Sequence, residues 1–170
     1  ATTRLAAAGG LWRPAAEVEP GEDLLDRNGY RVRVLARVSL DMNGPFSALS
    51  ETIQFPDGAG LSRQHRVVLS GPIVETHFGR RSVLAPAVAL VETRHARRLA
   101  ARPLGYVHLL TERHAVLVAE GCLAESLLLG PQARKRIEGM AEVEEGTLSS
   151  LEARFPGVAR RSTLPVVTRR

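Results

Sequence analysis

Between Tyr30 and Leu40 the side chains change character at almost every step: Val32, Val34, Ala36, Val38 and Leu40 fall on one side, Arg31, Arg33, Leu35, Arg37 and Ser39 on the other. A period of two belongs to an extended chain, because an amphipathic helix repeats its apolar positions every three to four residues. The segment is therefore predicted as a half-buried strand with one wet face, and a sheet is the framework around which the rest must fold.

Other segments add to that framework. The turn pair Asn28–Gly29 precedes the strand and closes a short helix predicted over Glu22 to Arg27. Glu51 to Phe55 reads as a second strand between the turn chemistries Asn43–Gly44–Pro45 and Pro56–Asp57–Gly58. His65 to Leu69 and Ile73 to Phe78 flank Ser70–Gly71–Pro72 as a predicted hairpin, which Arg81 to Leu84 extends. Thr93 is the predicted N-cap of a helix through Ala101, ended by Pro103. Tyr106 to Leu110 and Ala115 to Ala119 read as strands, although Ala115 to Leu129 as a buried helix is open on apolar content. Pro131 suits the first turn of a helix to about Glu145, a shorter helix is predicted over Leu148 to Phe155, and Ser162 to Thr168 reads as extended. Strands in runs with helices grouped between them predict an α+β domain, a mainly antiparallel sheet with helices packed on one face. Residues 1–20 are predicted as a flexible tail and 21–170 as a single domain.

Composition narrows the function classes. With 44% hydrophobic and 24% charged residues in 170, the chain has the balance of a globular domain. Its one cysteine, Cys122, makes no internal disulfide and no multi-cysteine metal site, which fits a reducing, cytoplasmic setting. No apolar run is long enough to span a bilayer, since Glu120 and Glu125 interrupt the longest. The formal charge of +5 invites nucleic acid, but Lys135 is the only lysine among 23 basic residues, and four Phe, one Trp and two Tyr offer little for base stacking. Nucleic acid is thus not the expected partner.

Neither GxGxxG nor GxxxxGK[ST] occurs, and no GxSxG elbow. The histidines at 65, 77, 95, 108 and 114 never take HExxH spacing, and no metal or other cofactor is expected; His65 and His77 are placed to approach each other across the predicted hairpin. Arg94, Arg97, Arg98 and Arg102 form a basic stripe, read as a solvated helix face.

Several stretches, Leu24–Leu25 with Asn28–Gly29 and Arg33–Val34–Leu35, His65–Arg66–Val67–Val68–Leu69 with Gly71, Arg81–Ser82–Val83–Leu84, and Pro103–Leu104–Gly105, together resemble the chorismate pyruvate-lyase family, its actinobacterial-type branch above all. The interval from Ser82 to Pro103 also matches the family's. This resemblance runs from about Leu24 to Leu110. It implies a lyase that eliminates pyruvate from chorismate to leave 4-hydroxybenzoate without a cofactor, or a divergent enzyme on a related small carboxylic acid. Arg66 would then clamp a substrate carboxylate, with backbone contacts from Gly29, Leu104 and Gly105. The family's last-strand glutamate has no counterpart, so the general acid is sought among Glu120, Glu125 and Glu112. The scaffold also resembles effector-binding domains of bacterial regulators, which implies a non-catalytic carboxylate-binding module as the alternative; a structural subunit of a larger assembly is a third. Under the first two readings the partner is a small carboxylate, with no membrane, and the chain is a monomer or homodimer.

The residues themselves leave Arg66 two readings, a fork on a covered sheet face, which is costly without a carboxylate to bind, or a side chain projecting from the sheet's wet face; taken alone they favour the wet face, and it is the resemblance that favours the fork.

Overall fold

The computed structural model describes residues 3–41, 51–99, 105–131, 133–134, 147–156 and 164–167. Twelve strands occur among them: β1 (Arg4–Ala6), β2 (Trp12–Pro14), β3 (Asp23–Leu25), β4 (Arg31–Asp41), β5 (Thr52–Gln54), β6 (Gly60–Ser62), β7 (Arg66–Ser70), β8 (Ser82–Pro86), β9 (Arg97–Arg98), β10 (Gly105–Thr111), β11 (Val116–Ala119) and β12 (Cys122–Glu125). They form one six-stranded sheet, β2-β1-β11-β12-β7-β8, and two three-stranded sheets, β10-β4-β3 and β6-β5-β9. Every pairing between named strands is antiparallel.

The α+β expectation, helices packed over one face of a sheet, is overturned: this is a mostly-β fold. The helices are short. Helix α1 (Pro72–Phe78) buries no residue, and α2 (Ala89–Glu92) buries only Leu90. Sheet faces instead meet each other. One core joins Leu5, Val18, Leu24, Val32, Val34, Leu109 and Leu117, and a second joins Ile53, Phe55, Leu61, Val67, Ala87, Leu90 and Ala124. A third gathers Val38, Leu110 and Leu129, with Leu151 of a later helix (Thr147–Arg154) against it.

The alternation in β4 reads out as expected, with Val32, Val34 and Val38 buried. Four predicted segments differ. Residues 22–27 are not a helix: Asp23, Leu24 and Leu25 pair with Arg33, Val32 and Arg31 of β4 across the Asn28–Gly29 turn. Residues 73–78 are helical rather than a returning strand, because Pro72 sits at the first helical position and Gly79 closes the helix in a left-handed conformation, φ 64°, its N–H bonded to the Glu75 carbonyl. The strand that pairs with β7 is therefore β8, Ser70 opposite Ser82. Thr93 ends α2 instead of starting a helix, and Arg97 and Arg98 pair with Gln54 and Ile53 of β5. Of the segment treated as a tail, residues 3–20 supply β1, β2 and the fully buried Val18, with Leu5 opposite Ala119 of β11. Asn43–Gly44–Pro45, Pro103 and most of the helix expected after Pro131 lie outside the described residues.

Two further features position the site. The β11–β12 turn passes through Gly121 at φ 76°, where a Cβ would come within 3.0 Å of Asp57 Cβ, so glycine is required there. Outside β7, the edge of β8 is met by residues 165–167: Leu84 N–H donates to the Pro165 carbonyl and Val167 N–H to the Leu84 carbonyl, in a parallel bridge between Leu84 and Val166.

Candidate active site

The site is assembled by strand register. Ala124 of β12 lies opposite Val67 of β7, which sets Glu125 beside Arg66; on the other side Val116 of β11 lies opposite Glu125. The Arg66 Nη1 is 3.6 Å from Glu125 Oε2. His114, two residues before β11, reaches the same Oε2 with its Nε2 at 3.3 Å, its side chain only 2% exposed. His65, one residue before β7, places Nε2 3.0 Å from the backbone carbonyl of Glu125. The His108 ring, from β10 in a different sheet, stacks on His65 with centroids 5.8 Å apart and planes 16° from parallel.

Acceptor chemistry fixes the hydrogen positions. A carboxylate and a carbonyl only accept, so both His114 and His65 donate through Nε2–H. Burial opposes ionisation of Glu125, but the His114 hydrogen bond and the nearby His65 and Arg66 together outweigh it and hold the carboxyl below its ordinary value. For His65 burial dominates over the attraction of Glu125 and pushes the imidazole below its ordinary range, which keeps it neutral at pH 7. The Nδ1 of His114 is buried and has no hydrogen-bond partner.

The turn that carries His114 is braced from within. Thr111 Oγ1 donates to the Arg113 carbonyl at 2.7 Å and accepts from the Ser126 hydroxyl at 2.9 Å, while Ser126 Oγ accepts from Ala115 N–H at 2.9 Å. Arg113 reaches the buried Asp26 at 2.9 Å. Both hydroxyl residues are almost fully buried.

Of the residues singled out in the sequence, Arg66 and Glu125 meet here. Glu120 sits on the β11–β12 turn and pairs with Arg4 at 3.4 Å. Glu112 lies at the open end of β10, where its Oε1 accepts from Arg33 N–H at 3.3 Å. Gly29 is an exposed turn residue whose N–H is already bonded to the Asp26 carbonyl, and Gly105 opens β10 opposite Asp41. Leu104 is outside the described residues. His77 does not approach His65; its Nδ1 bonds the Ile73 carbonyl within α1. Among the described residues no group of three or more His, Cys, Asp or Glu side chains could hold a metal ion, and no helix is long and apolar enough to cross a membrane.

Sequence reasoning missed the roles of His108 and His114. The signal available was that His114, like His65, stands at the start of a predicted strand, whereas His108 lies inside the one predicted over Tyr106 to Leu110.

A family model described as a Hint domain matches residues 57–131. Among solved structures, the MchDnaB-1 intein aligns at 18% identity and TM-score 0.46, covering 74% of this chain and 97% of that one. The Msm DnaB1 intein splicing domain bound with zinc aligns at 15% identity and TM-score 0.40, covering 74% and 95%. No protein of curated function matches the chain. The Hint match takes in Arg66, Arg81–Leu84 and Gly105, in most of the stretches that suggested a chorismate pyruvate-lyase, and it overturns that resemblance together with the lyase activity and its products. A small carboxylate as substrate falls with it. The physical reason is visible at Arg66, whose carboxylate partner is the chain's own Glu125.

Proposed function

We propose that this chain is a self-processing domain, one that breaks or rearranges a peptide bond of the polypeptide it is joined to. The observation that carries this reading is the Hint-domain match over residues 57–131, a span that encloses His65, Arg66, His108, His114 and Glu125. The chemistry of those groups supports it. Cutting an amide requires a nucleophile, a group to take its proton, and a proton for the departing nitrogen. Imidazoles titrate in the range where one group can do both, and a buried imidazole beside a carboxylate is suited to a transient positive charge. A substrate delivered by covalent connection is already at high effective concentration, so no separate recognition pocket is needed.

The test is a fusion with a reporter protein on each side of the chain, followed by intact-mass measurement. Release of a reporter at a junction, faster with hydroxylamine and abolished by combined His65→Ala and His114→Ala substitution, is the expected result. A fusion that stays whole under all these conditions, with the domain folded by circular dichroism, overturns the reading.

A further inference from the structure

We propose that the outer edge of β8 is a guide for the polypeptide on the C-terminal side of the domain: residues 165–167 lie along it as a strand, and it carries the chain that continues from them to the level of Arg66 and Glu125. This rests on the self-processing reading and deepens it by naming the flank that is brought to the site.

The local sequence suits the segment to that place. Pro165 holds its own φ at about −65° and biases Leu164 toward extended backbone, while Val166 and Val167 are β-branched. An extended chain is what a sheet edge accepts. β8 is the last strand of its sheet, and the outward N–H and C=O of Leu84 are taken up by the Pro165 carbonyl and the Val167 N–H, both at 2.8 Å.

Direction carries the argument. The Leu84–Val166 bridge is parallel, so residues 165–167 advance the same way as β8, and β8 advances toward Arg66, since Ser82 faces Ser70 and Pro86 faces Arg66. In this register Val167 lies in a row with Ala85, Val67 and Ala124, one residue short of the row of Pro86, Arg66 and Glu125. The guide also stops there. Pro86 has no N–H to give to a further rung, so the edge that binds the chain ends level with the site. From the docked segment across β8 and β7 to β12 is three strand spacings, about 14 Å, which about five extended residues cover. A polypeptide continuing from Val167 therefore reaches Glu125 soon after it leaves β8.

Two measurements test this. In the wild-type chain, amide hydrogen exchange by NMR is expected to show the N–H groups of Leu84 and Val167 protected and that of Val166 fast. A trans peptide points the Val166 N–H away from β8 when the Pro165 carbonyl points toward it. In the two-reporter fusion, Val167→Pro removes the donor of one rung without touching the histidines, Arg66 or Glu125. It is expected to slow release of the C-terminal reporter roughly three- to tenfold, the weight of one ordinary hydrogen bond, with the N-terminal junction at its wild-type rate. A Val167 amide that exchanges as fast as that of Val166 overturns the inference while self-processing stands. So does release confined to the N-terminal junction, or a folded Val167→Pro fusion that releases the C-terminal reporter at the wild-type rate or is slowed alike at both junctions. A wild-type fusion that releases neither reporter overturns the self-processing reading, and the guiding role with it.

Discussion

Among the described residues, the carboxylates of Asp26 and Glu125 are both withdrawn from solvent, and they are treated differently. Asp26 is saturated: Oδ1 accepts from the N–H groups of Asn28 and Tyr30 at 2.9 and 3.0 Å, and Oδ2 from Arg113 at 2.9 Å. Glu125 meets His114 at 3.3 Å and Arg66 at 3.6 Å through one oxygen, next to an imidazole nitrogen with no partner. Short bonds from every side make a structural post. Longer and incomplete ones leave a group whose neighbours can exchange protons, and the difference marks which of the two carboxylates is placed for chemistry.

The largest effect on stability is expected at the post. Asp26→Ala leaves two turn N–H groups and the partly exposed Arg113 without their acceptor and should cost about 3 kcal/mol, read by urea denaturation. Equal losses from Asp26→Ala and Glu125→Gln would erase the distinction. Glu125→Gln preserves shape and is expected to cost about 1 kcal/mol at pH 7.

Acid should sharpen the contrast. Both His65 and Glu125 have folded pKa values below their unfolded ones, so in each case the unfolded chain binds protons more readily and stability falls as pH drops. The His65 contribution is full above its unfolded value near 6.5 and is lost as pH falls through the folded value; the Glu125 contribution is full above about 4.5 and is lost below it in the same way. Melting temperature against pH should therefore fall in two limbs. His65→Asn removes the upper limb and Glu125→Gln the lower.

The smallest stability change is expected for Arg66→Ala, at most about 0.5 kcal/mol, because its pair with Glu125 is long and the side chain is 36% exposed. A larger loss would show that Glu125 depends on Arg66 more than on His114.

How much of this could be read in the sequence depended on how local the cause was. The β4 alternation is self-contained, and so is the Asn28–Gly29 turn. Strands of three residues such as β1 and β2 carry no period, and only pairing, of β1 with β11 and of β2 with β1, makes them strands. Pro72 and Gly79 were available as helix signals, but four apolar or β-branched residues between Pro72 and Gly79 favoured a strand reading. In the site, Arg66 and Glu125 stood out one by one. Their meeting depends on the Ala124–Val67 register, and the His65–His108 stack on the approach of two sheets, neither of which any local pattern encodes.

The bridge between Leu84 and Val166 reaches beyond its two hydrogen bonds. A sheet border with bare N–H and C=O groups is a template on which another molecule can crystallise its own strand, and β8 is such a border, with apolar Val83 and Leu84 in it. By lying along that border, residues 165–167 turn a sticky rim into a finished hem, so the same few atoms that add little to the fold guard the chain against stacking into fibres.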